Sequence, residues 1–413
     1  MNKVTLLMGR GIEGCGVTKF TLEQIKWLKS NGYEYAAFAP KEKTWQRRKV
    51  HDFSDIDEIE FTDDSNVRRI IEACDSSDAV IINSLPSVNH VQETIDAFSR
   101  IVDTTKAPIV LVQHDHSGLS IRRNMCMEQT INKAVAIFSH SRENDFAAVV
   151  EKLTDTGGLS AFFGDDDEDS KNAEILNFQP GMDFDTVRDR YWKPIDEQDP
   201  LHNKWIGRTV TWKGYRELFQ FHDNYLRPNG YLTTMEGIEK SPAFIPFKEN
   251  KFGEWEGQVT RKNAIDEWEL IPGNRMYIFG PYRNHEMLER MSFCGFGYQL
   301  SALKPRFIER SIEYTHCEVV CTGTIPVFRE SYGRQCVHRR TGDPLIEHED
   351  SGTVWLPDET KDMQKAFDRI DFLARNPTAR DETREKAYEF YKSHQDSEHT
   401  FKEMMDQIEE RIK

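Results

Sequence analysis

No window of this 413-residue chain comes near eighteen uninterrupted apolar residues, which excludes a spanning helix. The apolar start, Val4 to Met8, is broken at once by Gly9-Arg10-Gly11. It is too short for the core of a secretory signal. Cysteine is scarce: seven residues, an odd number, are scattered over a large chain. That argues against a disulfide framework and for a reducing compartment. Positive charge is also short, with 54 Lys and Arg against 70 Asp and Glu, a formal net charge of −16. Such a balance disfavours a generic electrostatic DNA binder. It leaves room for a DNA enzyme with a local basic cleft. Five acids in a row follow Gly164, from Asp165 to Asp169, and read as a solvated loop.

The length suggests about two to three domains, and a mean hydropathy of −0.67 describes a polar, soluble chain. Over the first 180 residues strand and helix patterns alternate. Val4–Met8 is a short apolar run. A helix follows, with Val17, Phe20, Ile25 and Leu28 on one face and Asn31-Gly32 as its stop. Tyr35–Ala39, Ala79–Ile82, Ile109–Val112 and Ala136–Phe138 are apolar, largely β-branched runs of the length expected for buried parallel strands. The pattern predicts a doubly wound α/β domain. Trp192–Trp212, rich in aromatic and polar residues, reads as a linker and the entry to a second domain. Strand-like runs return at Tyr231–Met235, Met276–Phe279, Val319–Cys321 and Ile325–Phe328, so the second domain is expected to be α/β as well. From Asp358 the pattern is helical and charged. The expected boundaries are 1–180, 181–385 and a C-terminal helix over 386–413.

Ligands of such sheets bind outside the carboxyl ends of the strands, so chemistry is sought just after strands. Gly9-Arg10-Gly11-Ile12-Glu13-Gly14-Cys15-Gly16-Val17-Thr18-Lys19 contains G-x-G-x-x-G between a strand and a helix. A dinucleotide site needs an acid at the end of the second strand, where Ala39-Pro40-Lys41 stands; this also disfavours a dehydrogenase. A P-loop needs Lys-Ser/Thr after its last glycine, and Gly16 is followed by Val17. What remains is either a loop whose amides and helix start face an anion or a sugar, or simply a tight turn. Gln113-His114-Asp115-His116 directly follows a strand. His114 and His116 alternate faces, which suits a metal set poorly. A structural histidine and a catalytic or sugar-binding role both remain.

Gly207-Arg208-Thr209-Val210-Thr211-Trp212-Lys213-Gly214 places two cations between glycines. They can clamp a diphosphate and neutralise a leaving group, or form a plain surface pair. Glu318, five residues before Gly323-Thr324-Ile325-Pro326, can accept both hydroxyls of a ribose, or be a solvated helix residue. Cys317 and Cys321 lie i, i+4 without further ligands and read as buried packing. Trp45-Gln46-Arg47-Arg48-Lys49 and Arg122-Arg123 follow strands of the first domain and suit nucleic-acid backbone contact, or are charged loops.

Longer strings carry more weight than these motifs. Arg10–Phe20, Gln113–Ser117, Asn177–Pro180, Trp205–Thr209, Ser241–Phe244, Ser311–His316 and Gly323–Phe328 resemble the α-glucosyltransferases of T-even bacteriophages, which modify 5-hydroxymethylcytosine in phage DNA. The resemblance runs through nearly the whole chain and is loose at 40–60, 150–172 and 245–275. It implies a retaining glycosyltransferase with two Rossmann-like domains facing a cleft, the GT-B architecture. DNA would lie on the first domain, a UDP-sugar on the second, and the last helix would cross back to the first. It implies donor contacts from Gly16, Val17, Thr18, Arg208, Lys213, Glu313, Tyr314 and Glu318, and DNA contacts from Arg47, Arg48, Lys49, Arg122 and Arg123. Glu318 matches the ribose-binding glutamate of the broader retaining family. The glutamate eight residues earlier is replaced by Arg310, with Glu309 or Glu313 as its substitute.

The same resemblance implies base flipping, with His114 and Asp115 as acceptor-activating or sugar-orienting groups. It implies retention by a covalent carboxylate or, preferably, by same-face attack, and no obligatory metal. The setting would be the cytoplasm of an infected bacterium, where the sugar shields phage DNA from nucleases; the replication machinery is a further candidate partner. The looseness leaves the sugar open between glucose and a pentose such as arabinose, since one hydroxymethyl group discriminates by only about 1–3 kcal/mol. The competing readings are a UDP-sugar enzyme acting on a carbohydrate or small molecule and a non-enzymatic DNA-binding protein.

Overall fold

The computed structural model of the chain describes residues 1–11, 16–41, 52–88, 90–114, 124–139, 174–207, 213–236, 248–249, 255–258, 275–279, 283–301, 312–338, 341–358 and 363–413. They form two compact units. One comprises the described residues of Met1–Met182 with Ser397–Lys413, the other those of Asp183–Pro305 with Ile312–Asp396.

In the first unit strands and helices alternate: β1 (Lys3–Met8), α1 (Gly16–Ser30), β2 (Glu34–Pro40), β3 (Asp57–Ile59), α2 (Asp64–Asp75), β4 (Ala79–Ser84), α3 (Gln92–Thr104), β5 (Ile109–Gln113), α4 (Met127–Lys133), β6 (Ala134–Ser139) and β7 (Glu174–Asn177). The seven strands pair in the order β3-β2-β1-β4-β5-β6-β7. Every pairing is parallel. Every residue of β4 and β5 is buried, which is why Ala79–Ile82 and Ile109–Val112 within them are unbroken apolar runs that do not alternate. Burying a side chain such as Phe98 or Ile137 fully contributes about 1.5–3 kcal/mol. The order of strands reverses between β1 and β4, which defines a crevice at their carboxyl ends.

The second unit contains α5 (Phe184–Tyr191), β8 (Asp199–Ile206), α6 (Tyr215–Phe221), β9 (Leu232–Glu236), β10 (Lys248–Glu249), β11 (Trp255–Gln258), β12 (Met276–Phe279), α7 (Asn284–Ser292), β13 (Cys294–Gln299), α8 (Tyr314–Cys321), β14 (Ile325–Arg329), α9 (Glu330–Gln335), β15 (Val354–Leu356), α10 (Met363–Arg375) and α11 (Pro377–Gln395). Its eight strands run β10-β11-β12-β9-β8-β13-β14-β15. They are parallel except at the β10-β11-β12 edge. Here the reversal lies between β8 and β13, where Trp205 pairs with Tyr298.

Two expectations are corrected. Val319–Cys321 is not a strand but the end of α8, in which every residue except Thr315 is buried. A short apolar run buried on all sides has no periodicity to separate helix from strand. Trp192–Trp212 is not mainly a linker, because it holds β8, a central strand of the second sheet.

The C-terminal helical stretch is also interrupted. α11 starts on Pro377, with Asn376 Oδ1 accepting the Ala379 N–H at 3.1 Å, and ends at Asp396, whose ψ of 135° leaves the helical region. The next helix, α12 (Ser397–Ile412), belongs to the first unit. Ser397 donates its N–H to Met182 O at 2.9 Å. Phe401 meets Phe20 edge-on at 5.3 Å. The division therefore falls at 396/397, not at 385/386.

Candidate active site

In the first unit the crevice is formed by the loops after β1 and β4. A Cβ on Gly9 would stand 2.5 Å from Pro86, so only glycine lets the two loops touch. Arg10 braces them. Its Nε donates to Leu85 O at 3.1 Å, and its guanidinium donates to Asn124 Oδ1. Gly16 opens α1 in an exposed position, Val17 is half-buried and Thr18 is fully buried. Of the three donor-contact candidates here, Thr18 offers no exposed surface. His114 follows β5 at the same sheet edge, half-buried. Its ring stands edge-on to Phe20 at 4.8 Å and to Phe178 at 5.4 Å. The aromatic wall fixes the ring plane.

A buried ion pair under this edge is not anticipated by the sequence reading. Glu23 in α1 is 2% exposed and lies 3.1 Å from Lys19 Nζ and 3.0 Å from Lys26 Nζ. Burial alone would raise its carboxyl, but the two ammonium groups more than offset that and hold it at about 2. The i, i+4 and i, i+3 spacing was a readable signal; burial of the carboxylate was not.

In the second unit the crevice between β8 and β13 holds a cation–carboxylate pair. Gln299, ending β13, donates from Nε2 to Ile206 O at 3.0 Å and ties the strand ends together. The chain after β8 returns over this edge at Gly214, whose φ is +70°. A Cβ there would lie 2.1 Å from Leu300 O, so the turn requires glycine. Trp205 Nε1 donates to Lys213 O at 3.3 Å. Lys213 is thereby held at the crevice, where its ammonium forms an ion pair with Glu313.

Glu313 precedes α8. Its N–H donates to the Tyr332 hydroxyl at 2.9 Å, while Ser301 and Thr315 hydroxyls donate to its Oε2 at 3.4 Å. Burial would raise the Glu313 carboxyl; the charge and hydrogen bond of Lys213, with smaller contributions from His316 and Ser301, together outweigh it, so the group sits below the ordinary glutamate range. His316 lies 3.9 Å from Glu313, stacked on Tyr332 at 4.3 Å, and burial drives its pKa down to about 3, so it is neutral. Tyr314 is buried at the first position of α8. Glu318, one turn further on, is 3% exposed and accepts from Asn284 Nδ2 at 2.7 Å. The solvated-helix alternative is thus excluded by burial.

Beneath this edge Glu236 is fully buried, paired with Lys204 and held by Arg290 at 2.8 and 3.0 Å. Strand patterning concealed this cluster, because it lies among apolar neighbours. Gly207 donates its N–H to the backbone Glu236 O at 3.1 Å, so the end of β9 anchors the chain as it leaves β8.

Asp115, His116, Arg208, Glu309, Arg310, Arg47, Arg48, Lys49, Arg122, Arg123, residues 12–15 of the glycine-rich loop and the acidic run at 165–169 lie outside the described residues. Among the described residues no group of three or more His, Cys, Asp or Glu is placed to hold a metal. No described helix is long and apolar enough to cross a membrane. Cys317 and Cys321 are buried free thiols, in line with a packing role.

Two doubly wound units, the second carrying the Lys213–Glu313 pair at its switch point, have the architecture of the GT-B class of glycosyltransferases. Anabaena HepE, solved in complex with UDP and glucose, superposes with a TM-score of 0.57 at 12% identity over 99% of this chain and 100% of its own. That likeness concerns the fold alone. A family model described as DNA alpha-glucosyltransferase matches residues 15–378. The DNA alpha-glucosyltransferase of Enterobacteria phage T4 is 43% identical over 411 residues, 98% of this chain and 99% of that protein. An α-glucosyltransferase solved in complex with UDP superposes with a TM-score of 0.85 at 39% identity, over 99% of this chain and 100% of the other. Another, solved with UDP-glucose and DNA containing an abasic site, gives 0.84 over 98% and 99%. The chain belongs to the DNA alpha-glucosyltransferase family.

Proposed function

We propose that the protein transfers glucose from UDP-glucose to the hydroxymethyl group of 5-hydroxymethylcytosine in phage DNA, with retention, in the cytoplasm of the infected host. The observation that carries this reading is the Lys213–Glu313 ion pair at the strand ends of the second sheet, in a chain 43% identical to a phage DNA glucosyltransferase; buried Glu318 on the helix that follows Glu313 supports it. Glucose leads over arabinose because the relative is a glucosyltransferase. The relative's name, an alpha-glucosyltransferase, supports retention, since UDP-glucose carries its glucose in the α configuration.

Glu318 accepts the two ribose hydroxyls. Lys213, with Arg208, neutralises the charge that develops on the diphosphate as the sugar–phosphate bond breaks. The flipped base presents its hydroxymethyl oxygen to the sugar from the same face. The proton of that hydroxyl passes to the departing phosphate oxygen. His114, with its ring fixed by Phe20 and Phe178, and Asp115 orient the acceptor. Arg47, Arg48, Lys49, Arg122 and Arg123 hold the DNA backbone, and the acidic remainder of the surface limits non-specific binding.

Nucleoside mass spectrometry on hydroxymethylcytosine DNA, incubated with UDP-glucose or with UDP-arabinose, tests the reading. A gain of one hexose with UDP-glucose alone is expected. No gain from either donor, in a protein that binds UDP, refutes DNA as acceptor. Asp115→Asn is expected to lower turnover at least about 100-fold; near-normal turnover removes Asp115 from the mechanism.

A further inference from the structure

Resting on Lys213 as a diphosphate ligand, we infer that Glu313 is an internal competitor for that lysine. It occupies the ammonium in the donor-free enzyme, yields it to the diphosphate, and is repaid only by sugar hydroxyls, so that it biases the site toward UDP-glucose and against the product UDP. The pair is built across a hundred residues of sequence, from the turn at Gly214 and the start of α8. Its two side chains are 11% and 20% exposed, so water reaches the pair without replacing it.

A lysine ammonium has three donors and one charge. A diphosphate arriving at Lys213 takes that charge and leaves Glu313 with two long hydroxyl bonds from Ser301 and Thr315 at 3.4 Å. His316, 3.9 Å away, is buried against Tyr332 and Phe328, and that burial holds its pKa at about 3, so it is a weak replacement for the ammonium at neutral pH. A partly buried carboxylate that loses its cation is penalised. The sugar hangs on the phosphate that Lys213 holds, so its hydroxyls arrive beside Glu313 and donate to it. UDP has no sugar there and leaves the penalty standing. After transfer the enzyme is therefore left with the ligand that Glu313 opposes, and release of UDP is favoured.

The experiment is equilibrium binding of UDP and of UDP-glucose, without DNA, to the wild type, Glu313→Gln, Glu313→Ala and Lys213→Met, with circular dichroism and thermal melts as folding controls. In Glu313→Gln, UDP is expected to bind about fivefold more tightly, the scale of a partly exposed ion pair. UDP-glucose is expected to bind about tenfold more weakly, the scale of hydrogen bonds to a charged acceptor. Glu313→Ala must move UDP in the same direction, which covers the case in which the glutamine variant folds poorly. UDP binding to both variants that is unchanged or weaker overturns the competitor role. Lys213→Met with unchanged affinity for both nucleotides instead removes Lys213 from the donor site, a separate failure of the underlying reading.

Discussion

Lys19→Met isolates the buried pair in α1. Glu23 is 2% exposed and its carboxyl is held at about 2, against 4.5 for the free group. That difference corresponds to about 3 kcal/mol of folding stability at neutral pH. Lys26 is 55% exposed, so its share is screened and most of the effect rests on Lys19. The folded-state pKa lies below the unfolded one. The stabilisation is therefore complete above about pH 4.5 and is lost as the pH falls toward 2. Removing Lys19 takes the buried ammonium from a buried carboxylate, at an expected cost of about 3 kcal/mol at pH 7. At pH 3 the wild type has already lost about half of the contribution, so the penalty of the variant should shrink to about 1–2 kcal/mol. The two units need not unfold together, so the assay is denaturant-dependent hydrogen exchange read on peptides from Gly16–Ser30. An equal penalty at pH 7 and pH 3, or one under about 1 kcal/mol at pH 7, refutes the pairing as the source of stability.

Two further perturbations address the second unit. Gly214→Ala puts a Cβ against Leu300 O in a left-handed turn, so the segment carrying Lys213 must shift; the KM for UDP-glucose should rise at least about tenfold, and an unchanged KM would show that Lys213 is not held by this turn. Glu236→Gln removes the charge that pairs with the buried Lys204 and with Arg290; a loss of about 3–5 kcal/mol is expected in unfolding of the second unit, and a near-neutral effect would mean that Lys204 finds another partner.

The alternation of apolar runs and helical patterns was enough to read a doubly wound first unit, because strands buried on both faces must be continuously apolar. β1, β2, β4, β5 and β6 were legible for that reason. β8 was not: His202, Asn203 and Lys204 interrupt its pattern, and they find partners on the neighbouring strand β9, Thr234 for His202, Leu232 O for Asn203 Nδ2 and Glu236 for Lys204. The Val319–Cys321 run failed in the opposite way, since a helix buried on nearly every side shows no polar face.

Among the candidate site residues, the spacing of cations and glycines after a strand singled out Lys213, which the structure pairs with Glu313, and the glycine turn singled out Glu318, which the structure buries. The sequence by itself determined which local elements form, where the chain turns on glycine, and which residue types stand after which strands, because these depend on neighbours a few positions away. Only the tertiary structure decided that Glu313 meets Lys213, that Glu318 is buried against Asn284, and that Glu23 and Glu236 are buried charges with cations of their own. Those pairings join segments from distant strands or depend on burial. Burial and a partner set a carboxylate's charge and reach, and neither is a property of the residue or of its neighbours along the chain.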